Sequence, residues 1–107
     1  MDSMVIRTNE MATRPCSAQI ILRDHIGNGV LMSCGAHGFV SLGDGVQFSI
    51  GPTGKHRKLV IKLGADDLYA VERVRIGRDF TVVSEAFEDG IFCDMLAERV
   101  LELGDVE

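Results

Sequence analysis

The sequence predicts an α+β domain: about five strands in a mainly antiparallel sheet, flanked by an N-terminal and a C-terminal helix. Three observations carry that expectation. One central segment alternates strictly between apolar and polar residues, and a second repeats the pattern. The final segment repeats apolar residues at steps of three and four. The connections between these segments are short, which favours neighbouring antiparallel strands over long crossovers.

The elements follow in chain order. Residues 1–15 are polar, lack periodicity and end in Arg14-Pro15, so they read as a mobile tail ahead of a single domain over residues 16–107. Ser17 is placed to cap a short helix, with Ala18, Ile21, Leu22 and His25 or Ile26 on one face. Gly27-Asn28-Gly29 should stop it. Val30-Leu31-Met32-Ser33-Cys34 is a short apolar run that reads as a strand closed by Gly35. Residues 36–44 fit a turn or one helical loop.

Val46, Phe48 and Ile50 alternate with Gln47 and Ser49, and Leu59, Ile61 and Leu63 alternate with Val60 and Lys62. Val46, Phe48 and Ile50 in the first, and Leu59, Ile61 and Leu63 in the second, should face the core. Between them Gly51 to Lys58 forms an exposed loop. In 68–76 the parity changes: Tyr69 and Val71 share one set, Val74 and Ile76 the other. A β-bulge near Glu72-Arg73 would bring all four to one face, and a helix from Asp66 or Asp67 is the alternative. Gly77-Arg78-Asp79 is a tight hairpin connection into a strand from Phe80 to Ser84 that could extend to Phe87. Asp89 then caps the last helix, whose apolar face is Phe92, Met95, Leu96, Val100 and Leu103. Phe48, Ile61, Val82, Leu96 and Val100 are the expected core.

Composition narrows the classes. With 107 residues, 46% hydrophobic and 25% charged, the chain can bury a core without a metal or disulfide. Its three cysteines, Cys16, Cys34 and Cys93, are an odd, scattered set that fits a reducing cytoplasm. No leader-like apolar segment stands at the start, and no stretch approaches the length of a membrane span. Net charge is −5, distributed as −1 over residues 1–54, +3 over 55–79 and −7 over 80–107. That segregation is the main clue to a partner.

A further set of residues carries a resemblance: Ile21-Leu22 with Ile26-Gly27, Gly35-Ala36 with Phe39, Ala65 to Glu72, Arg73 to Gly77, Val83-Ser84-Glu85 and Gly90 to Leu96. Across roughly 18–103 the chain resembles a family of short, largely uncharacterised proteins encoded by phages and integrated mobile elements. The chain departs from that family at Phe92, where Tyr is usual, and the family tends to continue beyond the last helix. The resemblance implies a mobile-element setting in a bacterial cell, and it implies no chemistry.

No motif supplies chemistry. Gly51-Pro52-Thr53-Gly54-Lys55 has two residues between its glycines and His56 after the lysine, so it reads as a turn and not a phosphate loop. Cys34-Gly35-Ala36-His37 offers half a zinc site without a second pair. Ser33, Ser41, Ser49 and Ser84 lack the sequence around a catalytic nucleophile. His25 and His56 read as solvated, and Asp66-Asp67 as a solvated turn. The expectation is therefore a binding protein with no catalytic residue, no cofactor and no metal. Its partner should be a host or defence complex with a basic surface, as for an inhibitor of a CRISPR effector. Asp94, Glu98, Glu102 and Asp105 would contact it from the last helix. The alternative is a small nucleic-acid-binding accessory protein using Lys55, Arg57, Lys58, Arg73, Arg75 and Arg78. No membrane partner is expected.

Overall fold

The computed structural model describes residues 7–51, 57–77, 79 and 81–104. Lys55, His56, Arg78, Phe80, Asp105, Glu107 and residues 1–6 of the expected tail lie outside them. Helix α1 (Ala18–Ile20) winds directly into a wider π-helical turn over Ile21–Ile26, closed by the Gly27 amide donating to the Leu22 carbonyl at 2.9 Å. Gly27 has φ +89° and ψ 153°, a positive-φ backbone outside the left-handed helical region. Helix α2 (Asn28–Ser33) starts at once after it.

Strands β1 (His37–Ser41), β2 (Gly45–Ile50), β3 (Arg57–Leu63), β4 (Tyr69–Ile76) and β5 (Val82–Ile91) then form one antiparallel sheet in chain order. The chain leaves the sheet through a 3-10 turn, Cys93–Met95, and ends its regular structure in α3 (Leu96–Leu103). An α+β fold with helices before and after a five-stranded antiparallel sheet is what the sequence predicts.

The core lies between the helices and one face of the sheet. Val46, Phe48, Ile50, Leu59, Ile61, Tyr69 and Val71 point to that face, and Ile21, Ile26, Leu31, Leu96 and Val100 close it from above. Geometry requires glycine at several positions, Gly45 and Gly90 among them. A Cβ on Gly45 would stand 1.9 Å from the Ile61 carbonyl oxygen, so β2 and β3 approach too closely for any side chain there. Gly90 has φ +67° at the irregular end of β5, a backbone that L side chains rarely adopt.

Five expectations are corrected. Val30–Cys34 is not a strand: it lies in α2 and the turn after it, because Leu31 and Cys34, three apart, bury together while Met32 and Ser33 face out. Residues 36–44 contain a strand, β1, with one extra residue between His37 and Val40. The expected bulge in β4 is absent. That strand pairs with β3 without interruption from Tyr69 to Arg75. The extra residues are in β5, one at Glu85 and one between Glu88 and Ile91. The parity change in β4 arises because both faces are buried: Tyr69 and Val71 enter the core, while Ala70, Glu72 and Val74 are buried on the opposite face. Asp89 does not cap a helix, since β5 continues to Ile91. Val82, near the free end of the edge strand, is half-buried and outside the core cluster.

The opposite face is held by the segment expected as a tail. Residues 7–9 form a 3-10 turn against β3 and β4. The Glu72 carboxylate, fully buried, accepts from the Arg7 amide, the Thr8 amide and the Thr8 hydroxyl, each at 2.9 Å. Arg7 also lies over the Phe87 ring, 5.5 Å from its centre. Farther along, the Ala65 amide donates to the Ala12 carbonyl, the Arg14 amide to Leu63 and the Cys16 amide to Gly43.

Candidate functional site

Two charged regions face solvent, and the sheet and α3 position both. The first is the surface of α3 and the turn before it. On α3, Leu96 and Val100 turn inward at a four-residue step, and Leu103 packs partly against the core. Glu98, Leu101 and Glu102 therefore point outward, with Leu101 next to Glu98 one turn along. Asp94 is exposed in the preceding 3-10 turn. Phe92 and Met95, expected to face the sheet, are instead 63% and 44% exposed. The cause is the late exit from β5: the chain leaves the sheet edge at Phe92 and tightens into a 3-10 turn, which rotates both side chains away from the core. The apolar residues of the region are thus interleaved with its carboxylates.

The carboxylates are not equivalent. Glu102 pairs with Arg99, which also reaches Glu88 on β5 at 2.9 Å. Among the described residues Asp94 and Glu98 make no ion pair. Glu98 lies in the first turn of α3, where the helix amide end favours negative charge, whereas Glu102 lies near the carbonyl end, which disfavours it, and is offset by Arg99.

The second region is at the far end of the core face, beyond the helices. Arg57 on β3 stands directly opposite Arg75 on β4, with Arg73 two residues along. All three converge on Glu85, which the β5 bulge presents to the same face. Its carboxylate accepts from Arg57 Nε at 2.9 Å, Arg73 Nε at 3.2 Å and Arg75 Nε at 3.0 Å. Arg73 Nη1 also donates to the Leu103 carbonyl at 3.0 Å, at the end of α3. Partial burial alone would raise the Glu85 carboxyl, but the hydrogen bonds and charges of the arginines outweigh it and hold the group below its ordinary range. Lys58, adjacent to Arg57 in the strand, belongs to the other face. The predicted basic set is therefore divided, and Glu85, the residue that organises it, had no role in the sequence reading. Its one signal was its position between Val82-Val83-Ser84 and Ala86-Phe87 in β5.

The residues weighed for nucleophilic or metal chemistry are dispersed. Cys34 is buried and its thiol donates to the Leu31 carbonyl at 3.5 Å. Burial pushes the thiols of Cys34 and Cys16 up, Asp44 adding to the effect at Cys16, so neither is activated as a thiolate. His37 is exposed on β1, with Nδ1 2.9 Å from the Gly35 carbonyl. His25 is half-buried, edge-on to Tyr69 at 5.7 Å between centres. Asp66 accepts from the Leu68 amide at 3.1 Å and Asp67 pairs with Arg14, which fixes the expected turn. Among the described residues no three His, Cys, Asp or Glu side chains converge as metal ligands. No helix among them is long and apolar enough to cross a membrane.

No family model, curated protein or solved structure matches this chain.

Proposed function

We propose that this domain is a non-catalytic protein-binding module of a phage or mobile element, inhibiting or retuning a host or defence complex with a basic surface, in the manner of an inhibitor of a CRISPR effector. The observation that supports it is the surface of α3 and its preceding turn, where Phe92, Met95 and Leu101 stand exposed among Asp94, Glu98 and Glu102. A large aromatic anchor with apolar neighbours and a charged surround is the composition of a protein interface centre. The carboxylates supply the complement to a basic groove that otherwise grips nucleic acid, and they act mainly on encounter rate and orientation.

The test uses the chain as bait in bacterial lysate, beside Asp94→Asn/Glu98→Gln/Glu102→Gln and Phe92→Ser variants. The parent should retain a protein complex that both variants lose. The triple variant should associate about tenfold more slowly at low salt, a difference that shrinks as salt rises. Equal capture by all three would reject this surface.

The alternative, nucleic-acid binding through Arg57, Lys58, Arg73 and Arg75 with Lys55 and Arg78, is favoured by the convergence of three arginines at one end of the sheet. It is opposed by Glu85, which already engages all three. Retention on DNA at low salt, lost with a steep salt slope, would support it.

A further inference from the structure

The arginine cluster is over-supplied with positive charge for its structural role. Arg57 and Arg75 are direct cross-strand partners, and like charges so placed oppose pairing. One carboxylate answers three guanidinium groups, and the end of α3 contributes about half a negative charge through Leu103. Among the described residues of the cluster an excess of about one and a half positive charges is left. It is also partly shielded: the Arg57 and Arg73 side chains are each only 24% exposed. In such surroundings an unbalanced charge interacts more strongly than it would in open water. The protein–protein bonds use the Nε atoms, one further bond from Arg57 Nη2 at 3.4 Å, and Arg73 Nη1. Among the described residues the other terminal nitrogens have no acceptor, and Arg75, at 45% exposed, carries two of them to solvent.

We infer that Arg57, Arg73 and Arg75 form a binding site for a single phosphate-class dianion, inorganic phosphate or a phosphate monoester, with Glu85 as the fixed carboxylate that keeps the three guanidinium groups oriented. Guanidinium donors match tetrahedral oxyanions in geometry, and a dianion matches the residual charge. A nucleic-acid strand fits less well. Leaving the cluster along β5 or α3, it would meet Glu88, Glu98 and Glu102.

The experiment compares thermal unfolding in phosphate with chloride at equal pH and ionic strength, alongside calorimetric titration with inorganic phosphate. Phosphate at about ten times its Kd should raise the parent's Tm by several degrees, in a saturable manner. Arg75→Gln and the Arg57→Gln/Arg75→Gln pair should lose that rise, and the exposed single change keeps the comparison valid if the pair unfolds. Glu85→Gln should respond to phosphate at least as strongly as the parent, because the added anion replaces the missing charge. A rise that grows without saturating, or that persists in Arg75→Gln, would overturn the site. Binding of a single-stranded oligonucleotide more tightly than phosphate would overturn the assignment to a monoester-sized ligand.

Discussion

Glu72 is the residue whose role was least expected. Buried carboxylates are tolerated only when hydrogen-bonded, and this one accepts two backbone amides and a hydroxyl from residues more than sixty positions away. Glu72→Ala removes one acceptor group and leaves those donors without a partner, so a loss of about 2 kcal/mol or more is expected in urea unfolding. Protease sensitivity of residues 7–14 should rise with it. A variant as stable as the parent would mean that the turn at Arg7–Asn9 contributes nothing. Glu85 gives a prediction in pH. Its folded carboxyl lies below its ordinary range, so the unfolded chain binds its proton more readily. Its contribution is therefore complete above the unfolded value and is lost as pH falls through the folded one. Glu85→Gln should flatten the acid limb of the stability profile and leave the shape near neutrality unchanged. An acid limb identical to the parent's would show that the three arginines gain nothing from that charge.

At the scale of elements, packing predictions can be made sharp. Leu96→Ala should cost roughly 2–5 kcal/mol, as for other fully buried leucines. Gly45→Ala should cost about 1–3 kcal/mol or more, since the new methyl must displace the β3 backbone at Ile61. Chemical denaturation reads both, and an unaffected Gly45→Ala would mean that β2 and β3 are farther apart than described. Strand β2 was legible because one face is core and the other is polar, so burial writes a period of two into the residues, and β3 keeps that period except at Val60, which is buried on the opposite face. That signal vanishes wherever the condition fails. Strand β4 is covered on both faces, and its mixed parity looked like a bulge. Strand β1 is exposed along its whole length, so nothing selects alternation in His37–Ser41. The run Val30–Cys34 is too short for apolar content alone to separate helix from strand, and the glycines on either side suit both. In the candidate regions, the outward carboxylates Glu98 and Glu102 could be read from helical spacing. The exposure of Phe92 could not, because it depends on where β5 ends.

Across the whole molecule, charge and cover are unevenly distributed. The helices seal one face of the sheet with buried aliphatic side chains, whereas among the described residues the other face is covered by a short segment held through Glu72 and a few backbone bonds. Stability should therefore be graded. In native-state hydrogen exchange, amides of β2, β3 and the middle of β4 should open only with global unfolding, and those of residues 7–14 through a local event of lower free energy. Uniform protection across both sets would contradict this. The chain-order sheet also sets a timetable for synthesis. Each strand finds its neighbour as soon as the next one emerges, so the hairpins can assemble from β1 onward while translation proceeds. The lid of the core cannot. Leu96 and Val100 are made after every strand, and until α3 appears a nascent chain carries a paired sheet with Val46, Phe48, Ile61 and Val71 incompletely covered. Stalled ribosomes holding chains that end at Ile91, followed by a linker long enough to clear the exit tunnel, should display a sheet that binds hydrophobic dyes and chaperones, and inclusion of α3 before the linker should abolish both.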